Sequence, residues 1–200
     1  AVTRMGGGGE VVNLFSVKDP VEAEAIVQRM NDMNHARQRE ETGIMKAIEQ
    51  QLLEDPRRLN RYFLVFAGEG WHRGVIGIVA SRLVEKHHRP VLVLSSDGAF
   101  CQGSGRSIAG FHLLDALDQC RDLLVQYGGH AQAAGCKVST DLCQVLEERL
   151  NDYASQKLSP EDLCPRVQID CLLPIEEVSF PLIREVEQLA PFGIGNPVPV

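Results

Sequence analysis

Two hundred residues, 44% hydrophobic and 24% charged, suit one large domain or a compact domain with attached pieces. The net charge of −7 excludes a uniformly basic nucleic-acid-binding surface and leaves room only for a local groove built from a few placed Arg, Lys and His residues. No apolar run nears the roughly 20 residues that span a bilayer and no signal-peptide pattern opens the chain, so no membrane partner is expected. The six cysteines (Cys101, Cys120, Cys136, Cys143, Cys164, Cys171) contain no C-x-x-C pair and fit neither a zinc site nor a compact disulfide framework. Reduced thiols in a cytoplasmic protein are the expectation. The start at Ala1 and the extended-looking end, Asn196-Pro197-Val198-Pro199-Val200, suggest a piece of a longer protein.

In chain order, Gly6 to Gly9 read as a flexible run within a linker over 1–18. Asp19 can cap a helix, Pro20 suits its first position and Glu22 completes an approximate capping box. Ala25, Ile26, Met30, Met33, Ile44, Met45, Ile48 and Leu52 then give a helical apolar stripe. The spacing predicts a helix from about Pro20 to Leu53, within a segment 19–55 that is long enough to bridge two domains. An α/β pattern follows over 56–156. Tyr62–Ala67 reads as a buried strand, Val75–Val84 as a helix and Val91–Leu94 as a second strand. Phe100–Gly103 begins another strand, Phe111–Leu124 is an amphipathic helix, Cys136–Val138 a short strand and Leu142–Tyr153 a further helix. Such alternation implies a central mixed sheet covered by helices. Ser155–Pro165 looks like a linker, and Val167–Leu172 starts a separate element followed by a helix through about Leu189, within a last region over 157–200.

Three segments carry candidate chemistry. Gly68-Glu69-Gly70-Trp71-His72-Arg73-Gly74 runs from a strand into a helix, where unpaired N–H groups and the helix dipole favour an anion. Gly74, Gly77 and Ala80 let that helix approach the sheet closely. Trp71, the only tryptophan, either stacks on a nucleobase or anchors its loop. Gly103-Ser104-Gly105-Arg106-Ser107 offers exposed backbone, two hydroxyls and a planar guanidinium for a phosphate, or else is a Ser/Gly turn with a solvated Arg. Gly128-Gly129-His130-Ala131-Gln132-Ala133-Ala134-Gly135 sets an imidazole between Gly turns and small residues; it can grip an anion or be a turn with a surface His. Lys86-His87-His88-Arg89 reads as a basic helix end, and no metal site, Walker A loop or G-x-S-x-G elbow occurs.

These segments, in this order, closely resemble the DHHA1 domain of the RecJ single-strand-specific exonucleases in the DHH/DHHA1 superfamily. Arg4-Met5-Gly6 is similar to the exit from that family's catalytic DHH domain, Pro20–Leu53 to its interdomain helix, and Leu189-Ala190-Pro191-Phe192-Gly193-Ile194-Gly195-Asn196-Pro197 to the entry of its OB-fold. The family usually has Pro where this chain has Arg73. The resemblance implies 5′-to-3′ hydrolysis of single-stranded DNA, in DNA repair and recombination, by a water activated on Mn²⁺ or Mg²⁺. The metal ligands would belong to a DHH domain upstream of residue 1, a partner in cis, and this chain would hold none of them.

Carried over residue by residue, Ser104, Gly105, Arg106 and Ser107 would line a pocket for backbone phosphate. His130, with Gly128 and Gly129, would contact the phosphate next to the scissile bond. Trp71 and His72 would lie along the DNA path, and Arg82 would bind or only support the loop. Two other readings stay open: a phosphodiesterase of the same superfamily acting on short oligonucleotides or cyclic dinucleotides, and a non-catalytic nucleic-acid-binding scaffold.

Overall fold

The computed structural model describes Met5 and residues 8–200; Arg4 and Gly6 of the expected linker lie outside the described residues. The chain divides after Leu163 into two compact units. In the first, Gly8 and Gly9 open a short helix, α1 (Gly8–Leu14), where a flexible run was expected. Its Glu10 pairs with Arg29 of the next helix at 2.8 Å, a tertiary contact that offsets the poor helix propensity of glycine. That next helix, α2 (Pro20–Glu54), begins as the sequence predicts: the Asp19 carboxylate accepts the N–H of Val21 at 3.1 Å and Pro20 takes the first turn. Its 35 residues make a rod about 52 Å long. Gly43 lies inside α2 without breaking it, facing open space.

The sheet has five strands: β1 (Leu64–Glu69), β2 (Val91–Ser96), β3 (Phe100–Arg106), β4 (Leu124–Gly129) and β5 (Ala133–Ser139), in the order β1-β2-β3-β5-β4. β1 and β2 are parallel, and every other pairing is antiparallel. The parallel pair requires a crossover, which is α3 (Arg73–His87). Strand periodicity sorts the apolar residues onto two faces. Leu64, Phe66, Val91 and Val93 meet Ile44 and Ile48 of α2 and Val75, Ile76, Val79 and Leu83 of α3. Phe63, Val65, Leu92, Leu94, Cys136 and Val138 meet the opposite layer, formed by α4 (Leu113–Asp118) and α5 (Cys143–Lys157). The fold is therefore α/β, a mixed sheet covered on both faces by helices, preceded by a long helix.

Two expected elements differ. The helix expected over Phe111–Leu124 ends at Asp118, and the chain turns into β4. Local propensity there is weak, since Gln126 and two glycines dilute Val125 and Tyr127, and pairing with β5 decides the conformation. The second is the Gly103–Ser107 stretch, whose residues up to Arg106 lie within the central strand β3 instead of a loop.

α2 is locked to α3 by a buried carboxylate. Glu41 is 2% exposed; its Oε2 lies 2.5 Å from Arg37 Nη1, and its Oε1 pairs with Arg82 of α3. In the second unit, α6 (Phe180–Glu187) is capped by the Ser179 hydroxyl, which accepts the N–H of Leu182. The Asn196 amide donates to the carbonyls of Leu189 and Pro191. No strand forms over Val167–Leu172; the Asp170 N–H instead donates to the Val200 carbonyl at 2.8 Å. No helix among the described residues is long and apolar enough to cross a membrane.

All six cysteines are free thiols. Burial pushes the Cys136 and Cys143 thiols up to about 12 and Cys120 to about 11, so none of these forms a reactive thiolate near neutral pH. A thiol reagent at neutral pH is expected to titrate the exposed Cys164 and Cys171 rapidly, the half-buried Cys143 slowly and the buried Cys101, Cys120 and Cys136 only after unfolding; rapid reaction of all six in the native protein would contradict this packing. Glu41→Leu is expected to lower stability by about 2–4 kcal/mol in urea denaturation, because Arg37 loses its counter-charge in a buried setting. A change within about 0.5 kcal/mol would show that the pair contributes nothing.

Candidate nucleic-acid interface

The alternation of β3 governs the site. Gly103 and Gly105 point into the layer of α4 and α5. A Cβ on Gly103 would lie 2.7 Å from Leu94 Cδ2 and 2.9 Å from Cys136 Sγ, and one on Gly105 would lie 2.9 Å from Leu113 Cδ2. These glycines are buried for packing, which corrects the expectation that they expose backbone to a ligand. Ser104 and Arg106 point to the other face, beneath α3. There Gly77 makes the room: a Cβ on it would meet Ser104 Oγ at 2.9 Å and Arg106 Nη2 at 3.1 Å. The small-residue stripe of α3 is thus packing, as one reading of the sequence had it, and what it accommodates is the Ser-x-Arg pair itself.

Ser104 and Arg106 are held by one another. Arg106 Nη1 donates to the Gly105 carbonyl at 2.7 Å and to Ser104 Oγ at 3.3 Å. Ser107 is committed elsewhere. It is buried, its hydroxyl donates to the Phe111 carbonyl at 2.8 Å, and its N–H donates to the Gln132 carbonyl. The expectation that Ser107 faces a phosphate therefore meets a hydroxyl already bonded inside its own turn.

The Gly128–Gly135 segment forms the end of β4, a tight connection and the start of β5. Gly129 has φ +146°, and a Cβ there would lie 2.4 Å from the Ala133 carbonyl oxygen, so only glycine fits. The His130 N–H donates to the same carbonyl at 2.7 Å, which presents an exposed imidazole at the hairpin tip. The tip is laced to the 107–113 loop: Leu113 N–H donates to the Ala131 carbonyl, and Gln132 Nε2 to that of Ile108. Because Arg106 pairs with Ala133, Arg106 and His130 share one end of the sheet.

Trp71 and His72 do not join them. They follow β1, whose Glu69 pairs with Ser96, and Ser96 pairs with Cys101; Arg106 lies opposite Val91 at the far end of the same ladder. Five residues of strand separate the two ends, about 17 Å. Trp71 is half-buried, its indole laid over Gly68 so closely that a Cβ there would overlap the ring, and its carbonyl accepts from the Ser95 hydroxyl. The loop-anchoring reading of Trp71 is the one this geometry favours. His72 caps α3, its Nδ1 accepting the Gly74 N–H at 3.1 Å. Arg73, where the resembled family usually has Pro, pairs with Asp97 at 2.8 Å. Arg82 is the other residue that stays apart, engaged by Glu41 in the lock between α2 and α3.

Sequence reasoning missed the rest of the open sheet face. Register sets three rows across β3, β5 and β4, running from Ser104 and Arg106 beneath α3 out to β5 and β4: Arg106 beside Ala133, then Ser104–Gly135–Gly128, then Gln102–Lys137–Gln126. The middle row is a trough of small residues. Gly128 is outside the left-handed region, and a Cβ on it would touch nothing within 4 Å, so neither backbone nor packing demands glycine there. Gln102, Gln126, Gly128, Gly135 and Lys137 of the last two rows, with Gly103, Tyr127 and Cys136 between them, line a groove of about 450 Å³. These rows carry Arg106 and Lys137 and no carboxylate, on a chain with 27 acidic residues. The available signal was the period-two pattern of Phe100, Gln102, Ser104 and Arg106, polar on one face and small on the other.

Among the described residues no group of three or more His, Cys, Asp or Glu comes together as a metal ion requires. The described residues therefore do not fit a resident metal.

Residues 60–156 match the DHHA1 domain family. Over 202 aligned residues the chain is 36% identical to the single-stranded-DNA-specific exonuclease RecJ of Bacillus subtilis, covering all of this chain and 25% of that protein. It is 32% identical to the RecJ of Thermus thermophilus, covering all of this chain and 28% of that protein. The crystal structure of Thermus thermophilus RecJ in complex with Mg²⁺ superposes with a TM-score of 0.85 at 32% identity, over 99% of this chain and 30% of that one. A structure of exonuclease RecJ bound to manganese gives a TM-score of 0.68 at 29% identity, over 81% of this chain and 41% of that one. The chain thus spans about a quarter to a third of the curated relatives it matches. In its match to the DHHA1 domain family, its mixed sheet and an alignment running the length of the chain, it is similar to part of the RecJ exonucleases.

Proposed function

We propose that this chain is the strand-holding part of a RecJ-like 5′-to-3′ single-stranded-DNA exonuclease acting in DNA repair and recombination. The observation that carries the reading is the open sheet face, which bears cations and a glycine trough and no carboxylate on an otherwise acidic protein. Arg106 presents a planar fork suited to a backbone phosphate, and Ser104 holds that fork in place. His130, exposed at the hairpin tip beside the Arg106 end of the sheet, contacts the phosphate next to the scissile bond. Gly128 leaves the space through which the sugar-phosphate chain approaches the β4 backbone. The divalent ion, Mg²⁺ or Mn²⁺ by analogy with the Thermus thermophilus structures that contain them, is held by a DHH domain joined in cis. Residues 157–200 read as a linker and the entry to an OB-like domain, and the protein works in the cytoplasm.

Titration of a fluorescent single-stranded oligonucleotide with this chain at low salt is expected to show weak binding that falls as salt rises. No cleavage is expected when Mn²⁺ is added; robust metal-dependent cleavage by the chain alone would overturn this division of labour. Arg106→Ala is expected to cost about 1.5–3 kcal/mol of binding, roughly ten- to a hundredfold, as a charge-assisted hydrogen bond to phosphate is lost. Unchanged affinity would remove Arg106 from the site.

The two adjacent glycines separate fold from function. Gly128→Ala is expected to keep or slightly raise the melting temperature while weakening binding, because its methyl enters only the open trough. Gly129→Ala is expected to lower the melting temperature sharply, through collision with the β5 backbone. Equal thermal effects of the two substitutions would refute the assignment of the trough.

A further inference from the structure

We propose that Lys137, held against Phe100 at the end of the groove, is a second backbone-phosphate site, which extends the strand path along the sheet away from Arg106. The proposal rests on the nucleic-acid reading above. Lys137 lies on β5 four residues beyond Ala133, the partner of Arg106, so the two cations stand about 14 Å apart along the strand direction. Between them lies only the trough of Ser104, Gly135 and Gly128.

The Lys137 ammonium sits 4.4 Å from the centroid of the Phe100 ring, which is 36% exposed. A cation–π contact holds the charge without neutralising it. Lys137 makes no ion pair among the described residues. Asp97, a carboxylate near enough to feel its charge, is already engaged, by the Phe100 N–H at 3.0 Å and by Arg73 at 2.8 Å. Gln102 and Gln126 flank Lys137 in register, both exposed, and neither carboxamide hydrogen-bonds within the chain among the described residues. Each carboxamide both donates and accepts, so the pair can meet sugar or base edges without preferring one base.

Single cations set two rows apart match a linear polyanion. A compact anion would be met by cations that converge on one point, and a protein partner would leave the two unpaired carboxamides and the trough without a purpose. Lys137 therefore engages nucleotides that a dinucleotide held at Arg106 does not reach.

The test compares a dinucleotide with a longer oligothymidylate, using this chain and its Lys137→Gln, Lys137→Arg and Arg106→Ala variants, with thermal melts to verify folding. Lys137→Gln is expected to weaken the longer strand about three- to tenfold at low salt and to reduce the slope of log affinity against log salt by about 0.7, the value for one phosphate contact on a single strand. Lys137→Arg restores both, and dinucleotide binding is unchanged in the two Lys137 variants. Loss of binding in Arg106→Ala with no change in Lys137→Gln would overturn the second site and leave the function reading standing. Equal weakening of dinucleotide and longer strand would also overturn it, by placing Lys137 in the first grip. If the unaltered chain binds neither probe, the function reading falls and this proposal with it.

Discussion

The constraint on which the rest of this domain depends is that, at Gly103 and Gly105, β3 has room for side chains on one face only. Between Leu92, Leu94, Cys136 and Leu113 there is no space for a Cβ at Gly103 or Gly105. The strand is therefore pinned close to the α4–α5 layer, and its remaining residues, Ser104 and Arg106, must face α3. On that side the crowding is relieved from above by Gly77 instead of from the strand. Three glycines in two elements thus place one guanidinium. The packing density of the interior, which makes even one methyl group costly, is what gives the site its geometry.

Much of this was legible in the amino-acid sequence, and the failures share a cause. α2 could be read from Asp19, Pro20 and the stripe ending near Leu52, because capping and helical periodicity are local. β1 and β2 could be read because both faces of each are buried, which leaves continuous apolar runs. β4 and the second half of β3 could not. Glycine, serine and glutamine in them dilute Leu124, Val125 and Tyr127 and read as turns, and they are strands only because neighbours across the ladder supply the hydrogen bonds. The same limit applies to the site. Gly-Ser-Gly-Arg-Ser and Gly-Gly-His could be picked out as unusual, but only the ladder reveals that Arg106 and His130 share an end while Trp71 and His72 sit at the other.

The residues outside those motifs teach the complementary lesson. Lys137, Gln102 and Gln126 lie far apart in the chain, in segments with no compositional bias, and become a row only through register. Arg82 sits within a motif and is drawn away from the open face by Glu41, a residue 41 positions earlier on α2. Motif membership and site membership thus diverge wherever a buried charge has to be balanced.

The acidity of the chain takes on a different meaning once the carboxylate-free rows are located. On a chain of net charge −7, the surface away from those rows repels a polyanion, and across them it does not. A nucleic acid that approaches in the wrong orientation is turned away before contact, so the negative charge acts as an orientational filter around a narrow entrance. Added salt then has two opposing effects: it weakens the grip of Arg106 and Lys137, and it lets strands drift nearer to the wrong faces. Discrimination between right and wrong docking should therefore fade with ionic strength faster than affinity does, which makes fidelity of docking a property of the whole surface and not of the groove alone.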